Sequence, residues 1–253
     1  IEKEKAVMDN EMRLAADAQN ELVPHVFPPF PGRKEIDLAA CLHPARKVGG
    51  DLYDYFLCDD RLFFCIGDVS GKGVQASLFM AATHYLFRSV AEKASLSDAV
   101  RQMNVSLSTD NDQCRFVTFW LGCLDLVSGS LEYVNAGHNA PVLLRSSVAE
   151  VLHPSENMPL GVMEDAEFVS ESLTLMPGDL LLLYTDGVTE AMDVSGNEFG
   201  DVKLLETAGS APCRSANELL EHVLSSVREH SADAVQSDDI TMVCLKFNGK
   251  STM

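Results

Sequence analysis

Runs of apolar residues between turn residues predict a domain rich in short β-strands. Four to nine aliphatic, aromatic or β-branched residues bounded by Gly, Pro, Asp or Ser are typical of a strand. Leu180 to Thr185 is apolar enough to predict a central strand that is buried on both faces. A further strand follows Asp51. The other predicted strands cover residues 36–42, 62–66, 116–125, 131–135, 140–144 and 240–247.

Apolar residues at a spacing of three and four predict helices over residues 74–90, 97–108 and 215–228. Ser97 is a suitable N-cap for the second of these helices. Residues 188–212 show no such spacing and are predicted to be irregular. The buried face predicted for the first helix consists of Val74, Leu78, Ala81, Ala82, Tyr85 and Leu86.

The first 32 residues predict a helix followed by a stiff connector. Apolar or small residues recur at every seventh position of the stretch 1–23, at Ile1, Met8, Ala15 and Leu22. This pattern fits equally a coiled coil that joins two copies of the chain and a single amphipathic helix packed on its own domain. Prolines at positions 24, 28, 29 and 31 then end the helix.

The length of 253 residues allows one large domain with a short appendage. We therefore predict a linker over residues 1–32, a domain over residues 33–248 and a tail over residues 249–253. The chain starts with Ile1, which indicates a fragment of a longer protein.

The net charge of −19 sets the class of partner. Such a charge repels phosphate backbones and anionic lipids, so nucleic acid and membranes are not expected partners, whereas divalent cations are. No apolar run approaches the roughly 20 residues that a membrane span needs. The seven cysteines form no C-x-x-C pair and no zinc motif. They indicate reduced thiols in a cytoplasmic protein.

Acidic residues stand at the ends of four predicted strands: Asp51, Asp68, Asp186, and either Asp238 or Asp239. If these strands share a core, their carboxylates converge at one rim, where they repel by several kcal/mol unless cations neutralise them. Oxygen ligands alone indicate Mg²⁺ or Mn²⁺, and a pair of such ions can activate water against a phosphate. The alternative is that each aspartate only forms a turn; its recurrence at four strand ends favours the metal site.

The glycine-rich turn 67–73 carries one of these aspartates. Its Gly-Lys pair invites comparison with a P-loop, but a P-loop needs Ser or Thr after the lysine, and Lys72 is followed by Gly73. A nucleotide-binding P-loop is therefore excluded.

Five ordered motifs resemble those of the metal-dependent (PPM, type 2C) Ser/Thr protein phosphatases, in their bacterial SpoIIE/RsbU-like branch. The resemblance covers residues 33–248 and extends to the preceding helix, 18–24 (AQNELVP). It implies an α+β fold, a four-layer α/β/β/α sandwich of two antiparallel sheets flanked by helices. The motifs are 48–54 (VGGDLYD), 67–73 (GDVSGKG), 135–141 (NAGHNAP), 184–190 (YTDGVTE) and 237–241 (SDDIT).

The resemblance also implies the roles of the site residues. Asp68 would bridge two Mn²⁺ or Mg²⁺ ions, one of which the carbonyl of Val69 would join, and Asp51 would contact one ion. Alignment favours Asp238 over Asp239 as the direct ligand, with Asp239 orienting it from behind. The implied catalytic residues are Asp51, Asp68, Asp186 and Asp238, and the implied metal ligands are these four with Val69 and Asp239.

By the same resemblance, a hydroxide activated by two metals attacks phosphoserine or phosphothreonine on a regulatory protein, an anti-sigma-factor antagonist of the STAS type. The chain would be the output domain of a bacterial signalling protein, gated through its linker helix, which often dimerises. Two rivals stay open: a non-catalytic or linker-inhibited module that sequesters a regulator, and a phosphatase of small metabolites. The latter would need a closed, basic pocket.

No motif supplies the phosphate-binding arginine of the larger eukaryotic-type enzymes. Arg46, Lys72 and Arg115 are candidates by position, although each is also typical of a surface or structural charge. His138 has two interpretations: a general acid for the leaving oxygen, or a structural, hydrogen-bonded histidine, which its glycine-rich setting favours.

Overall fold

The computed structural model describes residues 2–152, 157–212 and 214–250, and for residues 2–9 the main chain alone. Within these ranges the chain forms six helices and ten strands. In chain order they are α1 Glu2–Asn20, β1 Ile36–His43, β2 Leu52–Cys58, β3 Arg61–Val69, α2 Val74–Val90, α3 Leu96–Ser108, β4 Val117–Asp125, β5 Ser130–Ala136, β6 Val142–Arg145, β7 Val148–Val151, β8 Glu171–Thr174, β9 Leu180–Tyr184, α4 Asp186–Thr189, α5 Gly200–Ser210, α6 Ala216–Ser231 and β10 Ile240–Phe247.

Two five-stranded antiparallel sheets form the centre of the fold. The β10 sheet has the order β1-β10-β9-β6-β7, and the β3 sheet has the order β2-β3-β4-β5-β8. Their facing side chains make one apolar cluster, with Tyr53, Phe64 and Trp120 fully enclosed. Helices α5 and α6 pack on the outer face of the β10 sheet, and α2 and α3 on that of the β3 sheet. The predicted four-layer sandwich is confirmed.

All eight predicted strands are present, and β9 is buried at every position as its apolar run predicted. Strands β7 and β8 were not predicted. Each has only four residues, and each is the last strand of its sheet. An edge strand needs one partner and one buried face, so its sequence is too short and too polar to be distinguished from a loop.

Helix α2 has the predicted bounds, but its predicted buried face was wrong. Val74, Leu78 and Tyr85 are 43%, 66% and 71% exposed, whereas Met80 and Phe87, on the opposite side of the helix, are buried. The helix carries two apolar stripes, and packing on the β3 sheet selects the second one. Its buried stripe consists of Ala76, Met80, Thr83 and Phe87.

Two further helix predictions needed correction. Helix α3 is capped by Ser95, whose side chain accepts a hydrogen bond from the Asp98 backbone, and not by Ser97. The predicted irregular segment 188–212 contains α5, which buries Leu204 and Ala208 four residues apart against the β10 sheet. Glycines near both ends of this helix, at positions 200 and 209, are typical of loops, so the helical spacing of its apolar residues was not recognised in the sequence.

The linker contacts the sandwich directly. The Gln19 side-chain amide donates to the Gly49 carbonyl at 2.7 Å, and its oxygen accepts from the Gly49 backbone amide at 3.1 Å. Val23 is buried, and the ring of Phe30 lies 5.7 Å from that of Tyr55. The connector is therefore packed on the domain core, while the boundary near residue 33 stays a prediction.

Pairing through residues 1–23 also stays a prediction, since Ile1 and the Met8 side chain lie outside the described residues. The six cysteines that the structure describes are outside any disulfide, and Cys213 lies outside the described residues. Among the described helices, none is both long and apolar enough to cross a membrane.

Candidate metal centre

Both sheets contribute aspartates to one edge of the sandwich. Asp51 precedes β2, and Asp68 lies near the end of β3, which pairs with β2 as the predicted hairpin. Asp186 follows β9, and Asp238 and Asp239 precede β10, the neighbour of β9. The structure thus brings all of the predicted acidic residues to one place from strands that are far apart in the sequence.

Asp51 is a buried carboxylate that contacts the β10 sheet. One of its oxygens accepts hydrogen bonds from the hydroxyls of Thr185, at 2.8 Å, and Thr241, at 2.5 Å. Burial raises the pKa of Asp51 well above its usual value, and the charges of Asp68 and Asp239 raise it further. The two threonine hydrogen bonds oppose this rise. Asp51 is therefore held in a fixed position beside other acids.

The other carboxylates are also crowded. Burial raises the pKa of Asp68 to about 7, and the charge of Asp186 adds to the shift. Burial likewise raises the pKa of Asp186, with the charge of Asp238 as the next cause. With a pKa of about 7, Asp68 is partly protonated near neutral pH, and a divalent cation bound there would displace that proton.

A space beside Gly50 exposes two of the predicted oxygen ligands. A Cβ at Gly50 would lie 2.8 Å from the carbonyl oxygen of Val69 and 3.5 Å from an oxygen of Asp68. The missing side chain therefore leaves both oxygens open to the same space. An oxygen-only donor set of this kind fits Mg²⁺ or Mn²⁺.

Asp238 and Asp239 have different surroundings. Both oxygens of the buried Asp239 accept backbone hydrogen bonds, from Ala45 at 2.8 Å and from Gly50 at 3.0 Å. Asp239 therefore shapes the loop that leads into Asp51. The Asp238 side chain is 35% exposed and faces the rim, where the ammonium of Lys72 lies 2.7 Å from its Oδ2.

These acids are near one another without forming a closed cage. Among the described residues, no three His, Cys, Asp or Glu side chains are gathered closely enough to hold one ion. The donor chemistry fits a divalent cation, but the carboxylates would have to shift to complete its coordination.

Two threonines and one glutamate belong to this site but were missed in the sequence. Thr185 and Thr241 are polar residues beside the apolar residues of β9 and β10. Their polarity at the ends of these strands could have indicated that they belong to the site. Burial raises the pKa of Glu190, and the charge of Asp186 raises it further, whereas Lys72 lowers it. Glu190 follows the short helix α4 and does not stand at the end of a strand, so the strand pattern did not mark it as a neighbour of the aspartates.

His138 lies behind the site. The ring is buried, and its Nδ1 shares a hydrogen bond of 2.9 Å with the hydroxyl of Thr118. The Asn135 side chain bonds both the backbone amide and the carbonyl of His138. Burial lowers the pKa of His138 to about 4, so the ring is neutral near pH 7. These features support the structural role and not the general acid.

A cavity of about 170 Å³ adjoins the acidic residues. It shares Gly187 and Asp238 with the metal centre, and its other walls include Ala191, Met192 and Val227. Among its described lining residues, Arg228 is the one basic side chain. The closed, basic pocket that a small-metabolite phosphatase would need is therefore not formed by this cavity.

The sequence and fold were compared with those of known proteins. The family model described as Stage II sporulation protein E (SpoIIE) matches residues 58–248. Protein IcfG of Synechocystis is 32% identical over 96% of this chain, which spans 43% of IcfG. Phosphoserine phosphatase RsbU of Bacillus subtilis is 27% identical over 94% of this chain and 70% of RsbU. The chain thus spans less than half the length of IcfG.

Two solved structures show the same fold. The SiaA-PP2C domain of Pseudomonas aeruginosa superposes with a TM-score of 0.86 over 98% of this chain and all of that domain, at 17% identity. The catalytic domain of the serine/threonine phosphatase PstP, solved with two manganese ions, gives a TM-score of 0.61 over 83% of this chain and 97% of that chain, at 14% identity.

Proposed function

Because the chain belongs to the SpoIIE family of PPM-type phosphatases, we propose that it hydrolyses phosphoserine or phosphothreonine on a regulatory protein. The catalytic part is residues 33–248, which follow a linker of residues 1–32 and precede a tail of residues 249–253. The whole protein is a cytoplasmic signalling protein in which this part is the output domain.

One observation carries this proposal: aspartates from both sheets lie together at one edge, beside an open carbonyl oxygen. Asp51 is oriented by Thr185 and Thr241, while Asp68 and the carbonyl of Val69 face the space at Gly50. A turn-forming role would not require Asp51, Asp68 and Asp186 to lie so close to other carboxylates that those charges raise their pKa values.

Asp68 would join two Mn²⁺ or Mg²⁺ ions, Asp186 and Asp238 would hold one of them, and Asp51 and the Val69 carbonyl would complete the ligand set. Bound there, the ions would supply an activated hydroxide and offset the charge of the phosphate. Asp239 keeps the loop before Asp51 in place through its bonds to Ala45 and Gly50.

The substrate is a phosphorylated regulator, and the STAS-type antagonist of an anti-sigma factor is its expected class. Support comes from RsbU, whose name describes a phosphoserine phosphatase. The cavity with Ala191, Met192 and Val227 in its walls suits an apolar side chain beside the phosphoserine. Pairing of two linkers through residues 1–23 would place two such domains side by side.

The rival function is a module that binds a regulator without turnover. The aspartates at all predicted positions count against a degenerate site, since a pure binding module has no need to bury mutually repelling carboxylates. A domain that is switched off by its linker remains distinguishable by experiment.

The test is hydrolysis of p-nitrophenyl phosphate and of a phosphoserine peptide, with Mn²⁺ and with EDTA. The proposal expects turnover with Mn²⁺ alone, and a loss of at least about a hundredfold in Asp68→Asn together with weaker Mn²⁺ binding. The matched control is Asp165→Asn, which removes an exposed carboxylate and should keep full activity.

Full activity in Asp68→Asn would overturn the site assignment. Stoichiometric Mn²⁺ binding without turnover would favour a domain that is held off by its linker or used as a binding module.

A further inference from the structure

Lys72 lies in the turn between β3 and α2, directly beside the acidic residues. Its ammonium lies 2.7 Å from Asp238 Oδ2 and 2.8 Å from the carbonyl oxygen of Ser237, to which it donates. Both neighbours of Lys72 are glycines with positive φ, 89° at Gly71 and 82° at Gly73. Residues other than glycine rarely adopt a positive φ. The shape of the turn, and with it the position of Lys72 at the rim, therefore depends on these two glycines.

The negative charge of the acidic residues opposes the binding of a phosphate, so a positively charged side chain beside them would favour it. A phosphate monoester carries up to two negative charges, and it would approach a group of at least five carboxylates: Asp51, Asp68, Asp186, Asp238 and Asp239. Two divalent ions would offset four of these charges. A further positive charge at the rim therefore favours the bound phosphate.

Arg115 and Arg46, the other two candidates for binding the phosphate, are less suited to that role than Lys72. Arg115 lies beside the turn at Gly71, and its guanidinium is held by the side-chain oxygens of Gln75 and Gln113, to which it donates. Arg46 is exposed on the loop before Asp51. Lys72 is the candidate of these three with an ion pair to an acid of the centre.

We propose that Lys72 is a catalytic residue with two alternating partners: Asp238 when the centre lacks metal, and the phosphate of the substrate when the centre is loaded. This proposal rests on the phosphatase function proposed above. Asp238 Oδ2 cannot bind the ammonium and a divalent ion in the same place. Lys72 would therefore leave Asp238 in the loaded centre and become free to bind a phosphate oxygen.

The lysine side chain suits such an exchange. Its ammonium sits on a flexible four-carbon stem and donates in three directions, so it can change partner by side-chain rotation alone. The Lys72 side chain is 37% exposed, which leaves space for that rotation. The ion pair is also solvated enough to be broken at low cost.

The test compares Lys72→Met with Lys72→Arg by two titrations that involve no turnover. In the first, Mn²⁺ binding to the metal-free protein should become about two- to fivefold tighter in Lys72→Met, because a competing cation is lost from Asp238. In the second, inorganic phosphate should bind the Mn²⁺-loaded variant about tenfold more weakly, because a charged hydrogen bond is lost. Lys72→Arg should keep phosphate binding within about threefold of the unmodified protein.

The matched control is Lys93→Met, which removes an exposed positive charge just after α2. It should change neither titration. It therefore distinguishes the effect of losing the contact with Asp238 from the effect of changing the net charge of the protein. Circular dichroism checks that each variant is folded.

Weaker binding of both Mn²⁺ and phosphate in Lys72→Met would mean that Lys72 only supports the turn, and would overturn the proposal. Unchanged phosphate binding would overturn it as well. Both titrations can be read even if the protein does not hydrolyse phosphopeptides, so a failure of the proposed phosphatase function is distinguishable from a failure of the Lys72 assignment.

Discussion

At the residue scale, Gly187 occupies a position where no other side chain fits. It follows Asp186, and a Cβ built on it would overlap the backbone carbonyl of Asp239. The segments that carry Asp186 and Asp239 therefore touch through their main chains. A methyl group here would force them apart, which displaces Asp186 from Asp238.

We expect Gly187→Ala to lower the free energy of unfolding by about 2–3 kcal/mol and to weaken Mn²⁺ binding. Urea unfolding and calorimetric titration measure the two effects. The control is Gly209→Ala in α5, where the new Cβ would meet only ordinary contacts, 3.6 Å from Ala149 Cβ. That variant should be neutral or more stable by up to about 1 kcal/mol, because alanine is the better helix former. Equal stability of the two variants would contradict this account.

The sequence predicted the acidic residues of the site because each stands at the end of an apolar strand. It could not distinguish Asp238 from Asp239 on the strand pattern, since both precede β10 in the same way. The difference arises from the loop before Asp51, whose amides from Ala45 and Gly50 reach Asp239. Such a contact between segments about 190 residues apart leaves no local pattern.

At the element scale, an ion pair between a buried carboxylate and a half-exposed arginine connects α2 to the strand that follows Asp51. The carboxylate of Asp54, on β2, is fully buried and accepts two hydrogen bonds from Arg88, at 2.5 and 2.6 Å. His84, one turn earlier on α2, lies 3.0 Å from the same carboxylate. The helix that begins after Lys72 is thereby tied at its far end to the strand beside the metal centre.

We predict that Arg88→Met lowers the free energy of unfolding by about 3 kcal/mol, because it leaves a buried carboxylate without its main partner. The matched control is Arg101→Met on α3, whose ion pair with Asp98 is 54% exposed on both sides. That variant should lose no more than about 0.5 kcal/mol. Urea unfolding gives both values, and similar losses in the two variants would count against a special role for Asp54.

The same helix shows the limit of periodicity. Its spacing predicted the bounds of α2, but two apolar stripes competed for the core, and the pattern favoured the exposed one. Phe87 packs 5.3 Å from the ring of Phe56 on β2, a contact that depends on how the β3 sheet and α2 meet. The bounds of α2 were therefore predictable from the sequence, whereas its buried side required the tertiary structure.

At the scale of the whole molecule, the metal centre joins the two sheets of the sandwich. Asp51 and Asp68 belong to the β3 sheet, and Asp186 and Asp238 to the segments of the β10 sheet. Ions bound between them would therefore favour the folded state as a cross-link does. Their effect on stability follows from mass action, because the unfolded chain has no comparable site.

Mn²⁺ at a hundred times its dissociation constant should raise the free energy of unfolding by about 2.7 kcal/mol per site, and EDTA should remove this gain. Asp186→Asn should lose the gain of one site, because one of the two ions loses a ligand. Thermal unfolding with and without Mn²⁺ provides the measurement. Asp165→Asn should behave like the unmodified chain, and a full gain in Asp186→Asn would place the stabilising ion elsewhere.

The layers of the sandwich were predicted because five motifs, in order, resemble those of a known family. Strand patterns alone gave the number of central strands but not their pairing. Strands β1 and β10 are neighbours in the sheet although they stand near opposite ends of the chain, with Ile36 opposite Phe247. Only the folded structure reveals that pairing.

The central position of β10 also determines when a newly made chain could become active. The ribosome adds residues from the N-terminus, so β1 and β9 emerge before the strand that must insert between them. Until that strand arrives, Asp238 and Asp239 are missing from the rim and the β10 sheet has a gap. The domain could therefore act on its substrates only after β10 has been translated, because this strand completes both the sheet and the site.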